Sequence, residues 1–215
     1  MLILLLSLLF SLELESIADI KVEALNETEL PEQISFSGSF YRAFQWEDGQ
    51  GVNLLVLSEK RAIENSVYLY AQQFLVGQDT PQLLWDIIDY EEECPYDLTV
   101  SFLPDAVRVT DLDQNGISET TIAYQLSCRS DFTPAYMKIL LHEGDQKFGL
   151  RGQRTWQSGL PANFVYNANV LDEEESATLG FRVQEGRFQD TLDFQSAPPI
   201  LPQFTLCILR LIQPK

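Results

Sequence analysis

The sequence predicts a mainly β protein, with antiparallel meanders forming a single sheet-based or propeller-like body and at most a short C-terminal helix. Three observations carry this. Apolar residues alternate with polar ones through almost every segment from residue 34 to 152. Turn signals recur at short spacing: Gly49-Gln50-Gly51, Asn115-Gly116 and Glu143-Gly144-Asp145. No long stretch keeps a helical period.

In chain order, residues 34–41 alternate as a strand that 43–46 continues, and 47–51 form an acidic turn. Residues 52–57 are apolar on both faces, as in a strand covered on both sides. Residues 66–74 alternate again, and 82–90 read as a strand or a short helix. Residues 98–102 form a further strand. Residues 107–110 and 120–126 are rich in β-branched residues and flank a polar loop, and 136–142 and 147–151 make a hairpin. A weak internal repeat is visible: each half is a three-stranded meander led by an acidic turn, which predicts two meanders side by side. After Trp156 the signal weakens. Residues 180–183 and 191–194 are candidate short strands, Pro198, Pro199 and Pro202 break structure, and 204–212 could close the chain as helix or strand.

The length of 215 residues and the apolar content of 45% suit one domain with a buried core. Residues 34–195 are expected to form it, and 196–215 an uncertain tail. The net charge of −18, from 32 acidic and 14 basic residues, argues against nucleic acid and anionic membrane surfaces as partners. Residues 2–12 are apolar but for Ser7 and Ser11, too short to span a bilayer yet suited to a signal peptide. Ser16 and Ala18 put small residues at the cleavage positions before Asp19, although no Lys or Arg precedes the apolar run. Residues 1–18 therefore read as a signal peptide, 19–33 as a loosely held mature N-terminus, and the protein as exported to the periplasm or outer envelope. No membrane span is expected after cleavage. Asn26-Glu27-Thr28 fits a glycosylation sequon by pattern.

The loop Asp111-Leu112-Asp113-Gln114-Asn115-Gly116-Ile117-Ser118-Glu119 is the strongest local signal. Oxygen side chains stand at Asp111, Asp113, Asn115 and Glu119, Ile117 offers a carbonyl, and Gly116 permits the turn. Oxygen ligands at this spacing suit a hard cation, Ca²⁺ before Mg²⁺. Strand-like flanks and Ile122 at the twelfth position exclude an EF-hand. The loop resembles the Asp-x-Asp-x-Asn-Gly calcium loops of propeller-type extracellular repeats. The plainer alternative is a polar hairpin turned by Asn115-Gly116, which leaves converging carboxylates unexplained. A metal loop here should sit at a sheet end with its carboxylates turned away from the core.

Of three cysteines, Cys94 and Cys128 bracket the metal hairpin and are expected to pair after export, leaving Cys207 free; the alternative is three buried thiols. Glu91, Glu92 and Glu93 form a solvated charge run, or border the metal loop if Cys94 is bridged to Cys128. Lys138, Lys147, Arg151 and Arg154 are the basic cluster of an acidic chain. They either contact a glycan phosphate or carboxylate or form a solvated face offsetting nearby acids.

Catalytic motifs are absent: no nucleophile elbow, phosphate-binding glycine loop or dinucleotide fingerprint occurs. His142, the sole histidine, lies in an alternating strand, where a surface or hydrogen-bonded role is plainer than catalysis. Trp46, Trp85, Trp156 and Tyr90 suit either sugar stacking or a core.

Residues 109–119, followed by Tyr124, Cys128, Ser130-Asp131, Pro134, Met137-Lys138, Glu143-Gly144 and the run 146–152, carry a resemblance. With Trp85 and Cys94 they resemble a bacterial cell-envelope family labelled surface polysaccharide biosynthesis proteins. The likeness covers residues 84–152, and the ending 198–215 departs from it, since an aromatic-containing helix is expected there. The resemblance implies export and a role connected with surface glycan, with a surface glycan or an envelope assembly partner as ligand, and no catalytic residue to carry over. The expectation is an exported, non-catalytic, Ca²⁺-stabilised envelope protein. The alternative is a secreted carbohydrate-active hydrolase using a carboxylate pair. Oligomeric state is not legible from the sequence.

Overall fold

The computed structural model describes residues 20–77, 80–103, 107–130, 135–153, 156–157, 183–184 and 187–190. Alternation becomes strand over most of 39–153, but residues 34–38, expected to open the first strand, precede it without pairing, and the candidate strand 191–194 and residues 180–182 lie outside the described residues. The strands are β1 (Glu23–Leu25), β2 (Ser39–Asp48), β3 (Gly51–Ala62), β4 (Ser66–Val76), β5 (Gln82–Glu91), β6 (Asp97–Phe102) and β7 (Arg108–Thr110). They continue with β8 (Glu119–Arg129), β9 (Tyr136–Glu143), β10 (Gln146–Gln153), β11 (Trp156–Gln157), β12 (Val183–Gln184) and β13 (Arg187–Asp190). Residues 82–90 resolve as strand, and no α-helix occurs among the described residues. None of their segments is a helix long and apolar enough to cross a membrane.

Two antiparallel sheets carry the fold. The first has the order β1-β2-β3-β4-β5, and the second β13-β10-β9-β8-β6, with β7 also on β8 and a separate pair β11-β12. Each expected meander falls into its own sheet, and the two are stacked face to face rather than laid side by side. The reason is in the composition. Trp46, Leu55, Leu57, Leu69 and Trp85 of the first sheet share one buried cluster with Val100, Ile122, Tyr124 and Leu140 of the second. Two apolar faces of this size are buried only by meeting.

Strand β3 is apolar on both faces because both are covered. Leu55 and Leu57 face the second sheet. Leu54 and Val56 face the other way, under Leu25, Leu30, Ile34 and Phe36 from the N-terminal segment. That segment, read as loose at 19–33, carries β1, paired with β2, and a 3₁₀ turn over Glu27–Glu29. The turn is closed at its start by Asn26 N–H donating to Glu29 at 2.7 Å. The signal segment 1–18, Cys207, Arg154 and the tail 196–215 lie outside the described residues.

At one end of the body the sulfurs of Cys94 and Cys128 are 2.06 Å apart, with their Cα atoms at 5.6 Å. The pair ties the segment after β5 to the end of β8, one sheet to the other. Asn65, in the β3–β4 turn, reinforces this end: its amide donates to the carbonyls of Cys94 and Tyr96 at 2.8 and 3.0 Å.

Candidate metal centre

The polar loop joins β7 to β8, whose antiparallel register pairs Thr110 with Glu119 and Val109 with Thr120. One oxygen each from Asp111, Asp113 and Glu119 lies within 4.8 Å of the others, the one such grouping of His, Cys, Asp or Glu among the described residues. Backbone N–H groups help to hold the carboxylates there. Gly116 N–H donates to Asp111 Oδ2 at 3.0 Å, and Asn115 N–H to Asp113 Oδ1 at 3.2 Å. The turn that permits this needs left-handed backbone at Gln114 (φ 60°) and Gly116 (φ 83°).

Not every carboxylate faces outward. Asp113 is exposed and Asp111 half-buried, but Glu119 is wholly buried, at 0% exposure. Glu119 opens β8 and points back under the loop. Leu112 N–H donates to its two oxygens at 3.1 and 3.0 Å, and Thr110 Oγ1 to one of them at 2.9 Å. Burial pushes the Glu119 carboxyl above the usual carboxylate range and Asp113 adds to this, while the Leu112 and Thr110 donors pull it back. Asp111 Oδ1 is shut off from solvent and has no hydrogen-bond partner among the described residues. A buried anionic oxygen without a donor is costly unless a cation supplies the missing charge.

Asn115 and Ile117 occupy the same turn. Asn115 Oδ1 accepts the Ile117 N–H at 2.7 Å, while its amide donates to Asp113 Oδ2 at 3.2 Å and to Glu143 Oε1 at 2.5 Å. Glu143 was not singled out from the sequence. It stands directly opposite Glu119 in the β8–β9 register, so counting back from the Gly144-Asp145 turn could have found it.

The loop is also braced from the first sheet. Gly49 N–H donates to the Gly116 carbonyl at 2.6 Å. Asp48 Oδ2 accepts from the Ser118 N–H at 3.0 Å and the Ser118 hydroxyl at 2.6 Å, and Trp46 Nε1 donates to that hydroxyl at 2.7 Å. The acidic turns that lead the two meanders are thus in contact. Behind them runs a buried polar chain. Thr120 donates to Gln73 at 2.9 Å, Gln73 to Asn53 at 2.9 Å, and Asn53 to the Gly51 carbonyl at 3.2 Å.

Trp46 and Trp85 are core residues rather than sugar platforms. Trp85 stacks on His142 with ring centroids 4.1 Å apart. His142 is buried, and neither ring nitrogen has a hydrogen-bond partner among the described residues, so it is neither the surface nor the bonded histidine expected. Burial, with Lys147 adding to it, pushes its pKa down to about 4.

The sheet keeps two of the basic residues together and moves a third away. Lys138 is ion-paired with Asp89 at 2.5 Å, and Asp89 also accepts the Tyr124 hydroxyl at 2.8 Å. Arg151 is the cross-strand neighbour of Lys138, while Lys147 sits further along β10, opposite His142. Glu91, Glu92 and Glu93 lie at the disulfide end. The nine-residue step along β8 from Glu119 to Cys128 puts that end about 30 Å from the loop, so they do not border it.

No family model, curated protein or solved structure matches this chain. The site therefore stands on its own geometry.

Proposed function

We propose that this is an exported, non-catalytic protein of the cell envelope whose Asp111–Glu119 loop binds Ca²⁺ and so holds together a body concerned with surface polysaccharide, in binding or assembly. The observation that carries the metal is the convergence of Asp111, Asp113 and Glu119 within 4.8 Å. The partnerless Asp111 oxygen supports it. Three carboxylates and a turn rich in backbone oxygens favour a large hard cation over a transition metal. The Cys94–Cys128 pair supports an oxidising compartment. Buried Trp46 and Trp85 support a structural role over a catalytic cleft.

In this reading the ion neutralises carboxylates that otherwise repel one another and fixes the β7–β8 loop at the point where it touches the first sheet. Asp111, Asp113 and Glu119 would hold it, with Asn115 and the Ile117 carbonyl completing the set. The role is rigidity, since every ligand named belongs to the protein.

A secreted hydrolase is the second reading, and one observation gives it a location. Asp89 and Glu91 line the same groove and stand on the same face of β5, about 7 Å apart by strand rise. Against it, the Asp89 carboxylate is already taken by Lys138 and Tyr124.

Thermal melts of the purified protein in EDTA and in millimolar Ca²⁺ test the proposal. A cation that binds only the folded state, at a hundredfold excess over Kd, adds about 2.7 kcal/mol. Superimposable melting curves would sink the calcium reading.

A further inference from the structure

We propose that the groove between β5 and the inner face of β9 and β10 is a binding site for a neutral saccharide, in which Tyr136 stacks on a sugar ring. This rests on the glycan reading above and gives it a location. In the first sheet, β5 is the last strand among the described residues, while the second sheet continues through β9 and β10. The step leaves a cavity of about 280 Å³, lined by Asp89, Glu91, Leu126, Tyr136, Lys138 and Arg151 among others. That is at the small end of ligand-site volumes and suits one or two sugar rings.

The lining chooses the ligand class. Two acids from β5 face two bases from β9 and β10, so the groove carries no net charge. A phosphate or uronate would meet Asp89 and Glu91, and a cation would meet Lys138 and Arg151. Sugar hydroxyls donate and accept at once, which fits acceptors on one wall and donors on the other. The Lys138–Asp89 contact, at 2.5 Å, holds both groups in place before any ligand arrives. Glu91 is held above the usual carboxylate range by burial, then by Asp89, with Lys138 opposing.

Tyr136 supplies the apolar surface. It is 48% exposed at the start of β9, directly across from buried Leu126. A rigid amphipathic ring presents a flat face to the C–H side of a pyranose at little cost in side-chain freedom.

The test is calorimetric titration of the full chain with neutral trisaccharides of glucose, galactose, mannose and N-acetylglucosamine, each beside a uronic-acid or phosphorylated counterpart. At least one neutral trisaccharide should bind with a Kd of about 1 mM or tighter. Tyr136→Ala should weaken it about tenfold, with Tyr136→Phe within about twofold of the parent. Glu91→Ala is an independent variant on the opposite wall and should also weaken binding. Saccharide binding indifferent to both Tyr136→Ala and Glu91→Ala overturns the groove while leaving the glycan reading standing. Preference for the acidic members overturns the neutral class. No binding by any member overturns the groove and the glycan reading together, leaving only the calcium site.

Discussion

The backbone N–H of Gly49 donates to the carbonyl of Gly116 at 2.6 Å, so the leading turns of the two meanders touch. A Cβ on Gly49 would stand 2.5 Å from that same oxygen, a backbone atom that cannot swing aside. Gly49→Ala is expected to destabilise the protein by about 1–3 kcal/mol, as overpacking does. The metal-induced rise in melting temperature should shrink with it, because the clash falls on the loop itself. Chemical denaturation with and without Ca²⁺ measures both effects.

Ser118→Ala removes the hydroxyl that joins Trp46 to Asp48 and leaves a buried indole N–H without its acceptor. The expected loss is about 2–3 kcal/mol, with or without metal. A loss below about 0.5 kcal/mol in urea unfolding would mean that the turns are braced by other contacts.

Asp113 and Glu119 should separate the two jobs of the loop. Asp113 is exposed, so Asp113→Ala should abolish the Ca²⁺-induced shift and change stability in EDTA little. Glu119 also anchors Leu112 and Thr110 from inside. Glu119→Ala should therefore cost stability in EDTA as well, by about 2 kcal/mol or more. Equal effects of the two substitutions in EDTA would show that Glu119 is not an internal anchor.

His142 makes the protein acid-sensitive in a defined window. Its pKa is about 4 in the fold against an ordinary 6.5, so the unfolded chain takes up the proton first. The neutral ring's contribution is complete above pH 6.5 and is lost as pH falls through 4. It is worth about 3 kcal/mol in all. Stability against pH should flatten over this window in His142→Phe, which keeps the stack on Trp85; an unchanged slope would remove His142 as the cause.

Much of the architecture was legible because alternation and turn chemistry are local. Strands β4, β8 and β9 were read close to their ends, and Asp111 with Asp113 and Glu119 was read as converging because two-residue spacing across a tight turn enforces it. What was not legible came from contacts between distant residues. The pattern of β3, apolar on both faces, required cover on both sides without saying that residues 25–36 provide it. Asp48 looked like any turn aspartate, since its partner Ser118 lies 70 residues on. Of the basic cluster, strand register keeps Lys138 and Arg151 side by side and sets Lys147 apart, four residues along β10 and opposite His142.

Strand β8 begins at the Asp111–Glu119 loop and ends beside Cys128, so a cation held in that loop would clamp one extremity as the sulfurs clamp the other. A strand usually frays from its ends inward, and with both clamps in place neither end is free to start. Amide hydrogens along its length should then exchange only when the whole body opens, until either the ion is chelated or the sulfurs are reduced. Removing one clamp should release protons from that end alone, and the order in which the amides of β8 lose protection would reveal which clamp had been undone.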